Sequence, residues 1–184
     1  MIQGVKKSFH DHVLKLQDLI SDELKKIDPE IQLTEDLWER KDHAGNVGGG
    51  GRTRAFEGPI IENAGVNTSL VFGEVSPEFA SKLKGKSTKM WATGLSLIIH
   101  PRNPRVPTVH ANFRMIENGD QVWFGGGADL TPYYPYEDDF VHFHKTWKKA
   151  CDPYGAFEEF KKTCDNYFVN KHRTGEMRGI GGIF

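Results

Sequence analysis

Cysteine is scarce: Cys151 and Cys164 are the only two in 184 residues. Two are too few for a disulfide scaffold or a thiolate zinc site, and they fit a reducing, cytoplasmic setting. No run of about 18 apolar residues occurs, so no transmembrane segment is predicted. The first residues lack an apolar core and contain acids, so neither a secretory signal nor a transit peptide is read from them. A formal net charge of -1 offers no bulk attraction to nucleic acid or an anionic membrane. An acidic ligand would have to be met by local basic residues. Repeats and low-complexity linkers are lacking, as are the patterns H-E-x-x-H and G-x-x-x-x-G-K-[ST].

What is present suits one domain with a sizeable core, residues 1–184. Phe9, Val13, Leu16, Ile20, Leu24 and Ile27 recur at three- and four-residue steps, predicting an amphipathic helix over 5–27 that Asp28-Pro29 ends. Alternating segments predict strands over 52–56, 66–72, 94–99, 109–116 and 121–124, the last two joined as a hairpin by Glu117-Asn118-Gly119-Asp120. Helices are predicted near 137–150 and 154–173. The class is α+β with a largely antiparallel sheet. The apolar run Gly179-Ile180-Gly181-Gly182-Ile183-Phe184 reads as the approach to another strand. We therefore expect the chain to be the N-terminal portion of a longer polypeptide.

The stretch Thr108 to Met115 is the most informative. As a strand it places Val109, Ala111, Phe113 and Met115 on a core face and His110, Asn112 and Arg114 on the other. Asn is depleted in strands, and a proton-transfer group, an amide and a guanidinium in line suggest a site for an acidic ligand. Trp123-Phe124-Gly125-Gly126-Gly127-Ala128-Asp129 offers a backbone that a flat ligand could approach, then an acceptor for several N–H donors. Gly48 to Gly51 reads as a flap or mobile loop, with Arg52 and Arg54 sharing one strand face. Lys171, His172 and Arg173 suit a helix C-terminus, whereas Arg178 has no such simple explanation. His144 shares a helix face with Phe140, Trp147 and Cys151, which favours core packing over ligation.

These motifs together resemble the oxygen-dependent coproporphyrinogen III oxidases: Gly48 to Arg52, Ala64 to Asn67, His110 to Arg114, Gly125 to Pro132, Lys171 to Arg173 and Arg178 to Phe184, in the same order. The resemblance implies a large antiparallel sheet with helices on both faces. It implies oxidative decarboxylation of two propionates of coproporphyrinogen III to vinyl groups, giving protoporphyrinogen IX in heme biosynthesis. Molecular oxygen would be the co-substrate, with no organic cofactor. Asp129 would face the pyrrole N–H groups and His110 would be the proton donor. Ser96, Asn112, Phe113 and Arg114 would contact substrate, and Arg178 would hold a propionate. His100, His110, His144 and His172 would be positions for a divalent metal, whose need stays open. The partner would be a tetrapyrrole, the assembly a homodimer and the location cytoplasmic, with mitochondrial association left open. Two rivals remain: a non-catalytic tetrapyrrole- or organic-anion-binding fragment, and a mononuclear metal oxygenase built on His100, His110 and His144.

Overall fold

Residues whose side chains alternate between apolar and polar form strands, and here they pair in the order in which they occur. The structure, a computed structural model, describes residues 2–184. Strands β1 (Gln32–Lys41), β2 (Val47–Glu57), β3 (Ile61–Glu74), β4 (Lys89–Pro101), β5 (Thr108–Asn118), β6 (Gln121–Thr131) and β7 (Gly182–Ile183) form one sheet in sequential order. Every neighbouring pair is antiparallel. The helices are α1 (Ile2–Ile27), α2 (Pro77–Lys82), α3 (Glu137–Cys151) and α4 (Phe157–Tyr167).

The two faces of the sheet differ in chemistry. One carries Phe56, Ala64, Val66 and Leu95, which pack with Val13 and Leu24 of α1 into the buried core. The other is small and polar, and α2 borders it through Phe79 and Leu83. α1 crosses the first face with its most buried line at Val13, Gln17, Ser21 and Leu24. Gln17 is fully buried, and its Nε2 donates to the carbonyls of Arg52 and Val66 at 2.9 and 2.8 Å. A polar group at this depth requires partners, and the helix finds them in the strands beneath it. The predicted stripe is thus rotated slightly, leaving Ile27 exposed.

Four expectations are corrected. Gly48 to Gly51 lie within β2, with Gly49 paired to β3 and Gly50 and Gly51 to both β1 and β3, and are not a flap. Arg52 and Arg54 do share one face, the one turned to α1: Arg52 donates to Gln17 and Asp18, Arg54 to Ser21 and Glu35. The helix predicted over 154–173 is shorter, because Gly155 takes a left-handed φ of 62° after the 3-10 turn Asp152–Tyr154. At its other end the chain turns into a small hairpin in which Arg178 N–H donates to Phe168 C=O and Val169 bridges Met177. Lys171, His172 and Arg173 therefore sit on an exposed turn, with no helix end beneath them. Finally, β1 was not predicted at all; its charged residues mark it as a sheet edge.

Candidate active site

The uncovered face of β5 and β6 holds most of the candidate side chains. Register pairs His110 with Asp129, Asn112 with Gly127 and Arg114 with Gly125, so all project to one side. Asp129 is 2% exposed, yet both carboxylate oxygens are engaged. Oδ1 lies 3.0 Å from His110 Nδ1, and Oδ2 accepts from Arg178 Nη2 at 2.7 Å. A carboxylate has no hydrogen to give, so Nδ1 carries the proton and Nε2 is left free. Arg178 is further fixed by the Phe168 ring, 4.0 Å from its guanidinium carbon. Tyr167 and Phe184, stacked at 4.7 Å, close that side.

Arg114 donates through Nε and Nη2 to Asn112 Oδ1, which spends the amide oxygen and leaves Nδ2 outward. Asn112 and Arg114 also join two adjoining hollows. One, of 270 Å³, is bounded by His110, Asp129 and Arg178; the other, of 530 Å³, extends across β4 and β3 toward Trp38 of β1. Ser96 lies in the larger hollow, paired with Asn112. Gly125 and Gly127 keep the β6 floor low, both in ordinary strand geometry rather than in a turn.

Most of the expected site residues converge here: Ser96, His110, Asn112, Arg114, Asp129 and Arg178. Phe113 does not. Its ring stands on the helix-covered face, 6.3 Å from Trp147, because odd positions of β5 face the core. The four expected metal positions do not form a metal centre. His100 and His110 share a face, but His144 belongs to α3 and His172 to the exposed turn. Among the described residues no three His, Cys, Asp or Glu side chains converge on a point. His144 is half-buried on α3 beside Phe143: burial lowers its pKa, with Lys161 adding to the effect, and its Nδ1 has no partner among the described residues. Burial, reinforced by Asp129 and Asp165, pushes the Cys164 thiol up to about 11, so it stays protonated near neutral pH.

Sequence reasoning missed the far end of the larger hollow: Trp38, Thr53 and Asn67, with Phe79 and Leu83. Asn67 carries the same signal as Asn112, an amide in a strand interior, and that signal could have found it.

An acid that aligns a histidine and anchors an arginine, beside a cleft with a second arginine, is an arrangement chemically able to transfer a proton and to pair with an anion. The comparisons agree on the family. The sequence profile described as coproporphyrinogen III oxidase matches residues 8–184. A relative from Prochlorococcus marinus (strain MIT 9313), named oxygen-dependent coproporphyrinogen-III oxidase, is 47% identical over 97% of this chain and 51% of its own length. One of the same name from Synechococcus sp. (strain CC9605) is 49% identical over 94% of this chain and 47% of its own. The chain belongs to the coproporphyrinogen III oxidase family. It spans about half the length of the curated relatives it matches. Among the described residues no helix is long and apolar enough to cross a membrane.

Proposed function

We propose that this chain serves the oxygen-dependent conversion of coproporphyrinogen III to protoporphyrinogen IX, its relatives' named activity. In each of two rounds a propionate loses carbon dioxide and a hydride equivalent to become a vinyl group. Oxygen accepts the hydride equivalent, two electrons with one proton, and leaves as hydrogen peroxide after taking up a second proton. The electron-rich pyrrole supplies the redox chemistry, and the protein supplies orientation and electrostatics.

The His110–Asp129–Arg178 cluster carries this reading. Arg178 and Arg114 are placed to grip carboxylates, Arg178 half exposed and already pre-ordered on Phe168. A propionate that pairs with Arg178 replaces Asp129 as a guanidinium partner and releases Oδ2 toward the ring N–H groups. His110, oriented through Nδ1, then offers Nε2 for proton transfer at the reacting side chain. Asn112 Nδ2 and the Ser96 hydroxyl supply neutral hydrogen bonds on the cleft floor. No step is assigned to a divalent metal, since the histidines do not fit one. Homodimer assembly and a cytoplasmic location belong to the same reading, supported by family membership and tested by sedimentation and fractionation.

The test is an aerobic assay of the purified chain with coproporphyrinogen III and a strong chelator, scored by vinyl product and oxygen uptake. Product formed at an undiminished rate supports both the activity and the metal-free cleft. Tetrapyrrole binding without oxygen uptake would instead favour a non-catalytic binder.

A further inference from the structure

The part of the cleft farthest from His110 is also built from hydrogen-bond donors. One cross-strand row runs over the sheet: Thr53 of β2 pairs with Asn67 of β3, Asn67 with Ser96 of β4, and Ser96 with Asn112 of β5. At neighbouring-strand spacings of about 4.8 Å, the row from Thr53 to Asn112 spans roughly 14 Å. Each member faces the larger hollow. Asn67 Oδ1 accepts the backbone N–H of Arg54 at 3.3 Å, and a backbone N–H can only donate. The amide is therefore fixed with Nδ2 pointing away from that bond and toward Gly65, which has no side chain of its own to cover it. Thr53 Oγ1 accepts from the Trp38 indole at 3.2 Å, which leaves its hydrogen to give. Asn112 repeats the arrangement, its oxygen being taken by Arg114.

We infer that Asn67 and Thr53 form a second carboxylate-holding end of the cleft, gripping with neutral donors a propionate remote from Arg114 and Arg178. This rests on the tetrapyrrole reading above and adds to it a positioning and specificity role. Among the described residues Arg114 is the only charged one lining the larger hollow, so this end holds its carboxylate without a cation. The surrounding Trp38, Phe79 and Leu83 supply apolar walls for the ring's carbon skeleton. A ligand with carboxylates on opposite sides of a broad ring is thereby held strongly at the reacting end and weakly at the other.

The decisive variant is Asn67→Asp. It keeps an oxygen for the Arg54 N–H, so the local fold retains its bond, and it replaces the donor face with an acceptor. Binding of coproporphyrinogen III to the purified chain is measured anaerobically, where no turnover occurs, beside the tetramethyl ester of the same porphyrinogen. We expect Asn67→Asp to weaken binding of the acid by about tenfold or more, with an unchanged Tm and a several-fold smaller penalty on the ester. A purely structural role would penalise acid and ester alike, and that result would overturn the inference. So would wild-type affinity for the acid in the variant. Wild-type protein that fails to bind the acid at all would overturn the tetrapyrrole reading itself.

Discussion

Arg178 reaches back across 49 residues of chain to place its Nη2 2.7 Å from Asp129 Oδ2. The carboxylate is buried and the guanidinium half exposed, so the acid is held inside and the base is presented outward. Replacing Asp129 by Asn leaves the shape and removes the charge. His110 loses the partner that fixes its tautomer, and Arg178 meets either an amide donor or a weaker acceptor. We expect Asp129→Asn to lower turnover by about a hundredfold or more, the range typical for losing positioned proton transfer. Turnover within threefold of wild type (roughly the noise of such comparisons) would remove Asp129 from the mechanism.

Gln17 provides a test of what holds α1 to the sheet. Truncating it to Ala leaves the carbonyls of Arg52 and Val66 without its amide and Arg52 Nε without its oxygen, all beneath the helix. Each buried group left unsatisfied costs about 1–3 kcal/mol. We expect Gln17→Ala to destabilise the fold by about 2–4 kcal/mol in urea titrations, with the cleft otherwise intact.

Acid sensitivity should arise partly from two histidines remote from the reacting groups. Burial lowers the pKa of His10, aided by Lys7 and opposed by Asp11. Burial also lowers His144, with Lys161 acting in the same direction and Asp165 against it. A histidine whose folded pKa lies below its unfolded value of 6.5 is protonated first in the unfolded chain. Their contribution is therefore present above 6.5 and is lost as pH falls from 6.5 through the lowered folded values. Tm should decline over that window, and a His10→Gln/His144→Gln double variant should flatten the decline. An identical slope in wild type and variant would assign the effect to other groups.

Gly125 separates room in the cleft from strain in the fold. A Cβ there would meet only Arg114 Cγ, at 3.8 Å, whereas at Gly127 it would press on the Ile183 carbonyl at 2.7 Å. Gly125→Leu should therefore fold normally and project over the ligand floor. We expect unchanged Tm and tetrapyrrole binding weakened by about tenfold or more. A protein that binds as wild type would show that the ligand does not lie across β6.

The His110, Asn112, Arg114 face is legible in the sequence because the period-two rule needs only local information, and because these residue types are unusual on a strand. Asp129 is legible through its motif, but its burial and double pairing are not. They depend on Arg178 arriving from a turn 49 residues away, which no local pattern encodes. One glycine run misled: Gly48 to Gly51 has loop composition, yet β3 pairs with Gly49 to Gly51 and β1 with Gly50 and Gly51, which holds the run in the sheet. The shared face of Arg52 and Arg54 is legible too, but that α1 brings Gln17, Asp18 and Ser21 against it is not. The Trp38, Thr53, Asn67 end becomes visible only once three strands are in register.

The sequential strand order has a consequence for how this protein is made. Each strand from β2 to β6 pairs with the one just synthesised, so the sheet can lengthen by one ribbon at a time during translation. The advancing margin is always transient, covered as soon as the next ribbon arrives. The trailing margin, β1, waits uncovered throughout. It is the strand that carries Glu35, Asp36, Glu39, Arg40 and Lys41, a charged selvedge that discourages other nascent chains from adding to the weave.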